Sequence, residues 1–182
     1  MQLKPGPLGG RRRRVLIVVE NLLQTLAEVS IAFTGFSGVV GVFGGGSELS
    51  DAERTLRVRM MITASLAAFF GSLLPLVLSQ FESATALVWP LCCVSFAGFF
   101  IVNSLGVYRR TGALAAVGNY SRPWFAPIIY GINALVALSL VLATFALVSA
   151  HSVYIAAVVW QLVLASLQFL LLVTQTKSRS AV

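Results

Sequence analysis

Charge is scarce in this chain: Asp, Glu, Lys and Arg together supply 10% of its residues, against about a quarter in an ordinary soluble domain. A soluble fold of 182 residues could not cover its apolar surface with so few charges. Histidine occurs once, as His151 in a short polar turn with no second ligand type nearby, which argues against a bound metal. The two cysteines, Cys92 and Cys93, are adjacent inside an apolar run, so they form no ordinary disulfide framework and read as small packing residues. No G-x-S-x-G, H-E-x-x-H or phosphate-loop pattern occurs, and Gly44-Gly45-Gly46 lacks the lysine that a phosphate cradle needs. With no evident catalytic base, the chain is expected to be non-enzymatic and to need no cofactor.

What is present is apolar length. Hydrophobic residues make up 58% of the chain and come in blocks of about 20, the span an α-helix needs to cross a hydrocarbon core of about 30 Å. Blocks of that length exclude a membrane β-barrel, whose strands alternate over about 10 residues. The expected fold is an all-α integral membrane helical bundle in one domain, residues 19–176. A basic disordered leader (1–18) precedes it and a short cytoplasmic tail (177–182) follows.

The spans are expected over residues 22–43, 60–78, 84–107, 125–148 and 153–174. Ser50-Asp51-Ala52-Glu53 reads as a capping box that starts the second helix near Asp51. Pro75 is tolerated near that helix's far end. The polar turn Ser149-Ala150-His151-Ser152 makes the last two segments an antiparallel hairpin.

The thirteen Lys and Arg residues gather in the N-terminal tail, in 44–59, in 108–122 and in the C-terminal tail, leaving the turns SQFES and SAHS bare. By the positive-inside rule, loops 44–59 and 108–122 and the C-terminus are cytoplasmic. The net charge of +7 therefore reads as topology and lipid-headgroup contact, not nucleic-acid binding. Segment one conflicts with the rule, since a spanning 22–43 puts Lys4 and Arg11 to Arg14 outside. Either it is re-entrant or interfacial and the bundle has four spans, or the chain truly starts near Val18 or Val19 and has five. Five is the preferred count, because segment one is long enough to span.

The run AEVSIAFTGFSGVVGVF followed by LSDAERTLRVRMMITASLAAFFGSLLPLVL resembles small uncharacterised multi-pass membrane proteins of bacteria, over about the first half of the chain. In these an Ala-Glu helix with a Gly-Phe-small-Gly step precedes a Leu-Ser-x-x-acid-Arg helix start. The resemblance implies a bacterial inner membrane and a start close to the Ala-Glu pair, and it carries no activity. The Arg11 to Arg14 leader departs from the pattern.

Polar residues inside the spans are the candidates for function. Glu28 is the only acid in a candidate span, and an intramembrane carboxyl ordinarily faces a bundle interior, a cavity or a partner. It shares a helix face with Asn21, Gln24, Ala32 and Gly35. Gln161, Gln168 and Gln175 recur at heptad spacing, and Asn103 and Asn133 add amides on two further segments. Interhelical hydrogen bonding is the bland role for these amides; a cation- or proton-coupled path using Glu28 is the sharper one. Ser30, Thr34 and Gly38, and Thr63, Ala67 and Gly71, follow the small-xxx-small pattern of packing faces. These expectations describe an accessory or scaffold subunit in the lipid bilayer, joined to a second copy or to a larger membrane complex.

Overall fold

The computed structural model describes residues 7–43, 51–80, 87–117, 126–145 and 147–176. Among them are five helices: α1 (Pro7–Phe43), α2 (Asp51–Leu78), α3 (Val88–Ala116), α4 (Ala126–Thr144) and α5 (Ala150–Thr176). Each is long and apolar enough to cross a membrane. The all-α bundle with five candidate spans is the architecture that the apolar blocks predict.

The helix ends differ from the sequence expectation in places. The structure is helical from Pro7, where a disordered leader over 1–18 and a first segment from 22 are expected. Proline at a first helical position gives up only an N–H that has no partner there, and Arg and Leu are good helix formers. At about 1.5 Å per residue, the 37 residues of α1 outrun the hydrocarbon core. The helix is continuous, with no reversal of the kind a re-entrant segment requires. Helix α3 likewise runs through Arg109 and Arg110 to Ala116, past its expected end at 107. Arginine does not break a helix, so the charges do not mark where the helix stops. Helix α2 starts at Asp51 as expected, while the Ser50 of the capping box lies outside the described residues.

Helices α2 and α5 form the centre: α1, α3 and α5 pack on α2, and α4 closes against α3 and α5. Small residues let the backbones approach. Ala64, Ala67 and Ala68 on α2, and Ala157 and Ala165 on α5, are all buried. One cluster gathers Cys92, Cys93, Phe96, Phe100, Leu140, Tyr154 and Val158, and a second gathers Met61, Ala64, Ala165 and Leu172. Of the expected packing residues, Ala67, Gly71 and Ser30 are buried within the bundle, Thr63 and Thr34 are half-buried, and Gly38 is exposed.

A local arrangement ties α2 to α5. Pro75 lies inside α2 and has no N–H for the carbonyl of Gly71, four residues back. Tyr154, fully buried, supplies the missing donor: its hydroxyl donates to the Gly71 carbonyl at 2.7 Å. This is the re-satisfaction by a neighbouring helix that a membrane proline requires. Gly71 leaves the space, since an added Cβ would sit 2.8 Å from Phe96 Cε2. Phe96 cannot yield easily, being held between Phe100 and Tyr154 with ring centroids 5.6 and 5.3 Å away. Gly71→Ala gains up to about 1 kcal/mol of helix propensity against about 1–3 kcal/mol of overpacking. A net loss of roughly 1 kcal/mol is expected in unfolding from mixed micelles, and an unchanged stability would show that Phe96 gives way.

Candidate functional site

Toward the end of the bundle where α2 begins and α3 ends, helices α2 to α5 line a half-open cavity of about 80 Å³. Each helix contributes residues three or four apart, hence from one face: Arg57, Met60 and Ala64 from α2; Asn103, Val107 and Thr111 from α3; Ala126, Tyr130 and Asn133 from α4; Gln161, Leu164, Gln168 and Leu171 from α5. Ser104 adds a hydroxyl. The lining is thus amides and hydroxyls set among aliphatic side chains, with one guanidinium.

That guanidinium is buried. Arg57 is 2% exposed and Glu53 4%, and Arg57 Nη2 and Nε donate to Glu53 Oε1 at 2.7 and 3.2 Å. The one charge on the cavity wall is therefore balanced from within α2. Sequence reasoning missed this pair, reading Arg57 as a topology marker and Glu53 as the partner of Ser50. The signal was the four-residue spacing from Glu53 to Arg57, which puts acid and base on one helix face.

The remaining polar groups divide into satisfied and unsatisfied. Trp160 Nε1 donates to Asn133 Oδ1 at 2.7 Å, joining α5 to α4. Thr111 Oγ1 lies 3.2 Å from the Tyr130 hydroxyl and within 3.0 Å of the Val107 and Tyr108 carbonyls. The single Thr111 proton goes to backbone, so Tyr130 is the donor of that pair and keeps its oxygen as an acceptor. Gln161 Oε1 and Gln168 Oε1 are buried and accept a hydrogen bond from no described residue. Asn133 makes the interhelical bond expected of these amides, while among the described residues none donates to the two glutamine oxygens. An unsatisfied buried carbonyl costs about 1–3 kcal/mol, and both glutamines are among the residues that line the cavity.

The structure brings together four of the six polar candidates, Asn103, Asn133, Gln161 and Gln168, at this cavity. It does not bring Glu28 and Gln24 there. Both are exposed on α1, joined to each other by Gln24 Nε2 donating to Glu28 Oε1 at 3.4 Å. The side chain of Gln175 lies outside the described residues. Among the described residues, no three His, Cys, Asp or Glu side chains gather as a metal site would need. No family model, curated protein or solved structure matches the chain.

Proposed function

We propose that this chain is a non-enzymatic membrane bundle that binds a small uncharged polar solute in the cavity between α2 and α5. The observation that carries the reading is Gln161, 1% exposed, a residue of the cavity lining whose amide oxygen accepts from no described residue. Charge balance argues for a neutral solute. Arg57 is already matched by Glu53, and an ionic guest would bring an unmatched charge into a low-dielectric wall. About 80 Å³ offers room for several waters or one molecule on the scale of acetamide. By the positive-inside rule we place the basic end, with Arg54, Arg59, Arg109 and Arg110, on the cytoplasmic face of a bacterial inner membrane. The Gln24–Glu28 pair on the outer face of α1 favours an assembly role as a second reading, and the two are compatible.

The test is the pair of effects that Gln161→Leu has on the purified protein. Stability without solute is expected to stay level or rise by up to about 1 kcal/mol, because the substitution removes a buried oxygen that has no partner among the described residues. Saturation transfer from the bundle to acetamide, seen by NMR in the parent protein, is expected to vanish. A loss of stability with acetamide contact unchanged would make Gln161 a packing residue and end the reading.

A further inference from the structure

Helix α1 buries one side against the bundle, through Leu23, Leu26, Ala27 and Ser30. A side about a third of a turn round from it is exposed. Asn21, Gln24, Glu28, Ile31, Gly35 and Gly38 all lie there, and their spacing alternates three and four residues, the a and d positions of a heptad seam. Ordinary lipid-facing residues would be large and apolar. This seam carries instead amides and a carboxyl over its first half, then two glycines, each with open space where a Cβ would stand. Asn21 to Glu28 fall inside the apolar stretch Ile17–Phe36, where hydrocarbon offers no partner to a carboxyl and an amide.

We infer that this seam is the contact between two copies of the chain, α1 against α1 about a two-fold axis normal to the membrane. Copies inserted by the same rules share one orientation, so the paired helices are parallel and each residue meets its own counterpart. Under that symmetry Glu28 faces Glu28 of the second copy, and Gln24, which donates to Glu28 across one turn of its own helix, lies one layer away as a donor in reach of either carboxyl. Above them, Gly35 and Gly38 let the backbones close, as small residues do between membrane helices. The bundle face of α1 is already occupied, so the pairing adds a surface and displaces none. It is independent of what the cavity holds.

The experiment is a single-cysteine scan of α1 in the full chain, lacking Cys92 and Cys93, oxidised in native membranes. Positions 24, 28, 31, 35 and 38 are expected to give disulfide-linked dimers, while 22 and 29, exposed on the flanks, give little. In a second measurement, Glu28→Leu lowers the dimer fraction in micelles by about three- to thirty-fold, the scale of an interhelical hydrogen bond, and Glu28→Gln retains it. Glu28 is on the surface, so neither substitution disturbs the fold. Cross-linking without heptad periodicity, a cross-linked product of another mass, or a monomeric parent chain would each overturn the inference.

Discussion

Replacing Arg57 with leucine is expected to destabilise the bundle by about 3–5 kcal/mol, because it strips two charge-assisted hydrogen bonds from a buried carboxylate. Glu53 and Arg57 are almost fully enclosed, and neither can turn to solvent when the other is removed. The sign of the comparison matters more than its size. Changing both residues to leucine is expected to recover most of the loss, since a well-packed apolar pair is often no worse than a buried ion pair. Arg57→Lys should recover only part, because the forked contact through Nη2 and Nε onto one oxygen is a guanidinium geometry. Unfolding from mixed micelles by added SDS gives all three numbers. A double variant as unstable as the single one would mean that the pair contributes more than mutual neutralisation.

Tyr154→Phe is expected to cost about 1–3 kcal/mol, the penalty of leaving the Gly71 carbonyl without a donor in a dry interior. The cause lies four residues along α2, in the proline that cannot serve that carbonyl. Pro75→Ala restores a backbone N–H in the right place. In that background Tyr154→Phe should therefore cost less than about half a kcal/mol, and the cycle of four proteins should show a coupling of about 1–2 kcal/mol. No coupling would mean that the hydroxyl contributes to packing but does not replace the missing helical bond.

Much of the fold was legible because twenty apolar residues in a row have few other solutions. The helix ends were less so. Arg109 and Arg110 do not terminate α3, whose backbone stays helical to Ala116. The candidate site was legible in part for a related reason. Gln161 and Gln168 sit seven apart on one face, and that periodicity was enough to suggest that they act together. Periodicity could not say which way a polar face turns. In a soluble helix the polar side faces water, but lipid is as apolar as a protein core. The Glu28 stripe was therefore a face without a direction, and the structure turns it away from the bundle. Arg57 was hidden by its neighbours Arg54 and Arg59, which made three residues look like one topology signal. Tyr154 was hidden by distance, since nothing near it in sequence reveals a carbonyl left open by Pro75.

The central claim is that the cavity beside Gln161 takes a small neutral solute, and the most direct measurement is unfolding of the purified protein at increasing acetamide. At about 100 times its dissociation constant, acetamide should stabilise the parent chain by about 2.7 kcal/mol. The same series on Gln161→Leu should show no specific gain, which separates binding in the cavity from a general effect of the solute. Equal responses from the two proteins, or none from the parent, would contradict the account.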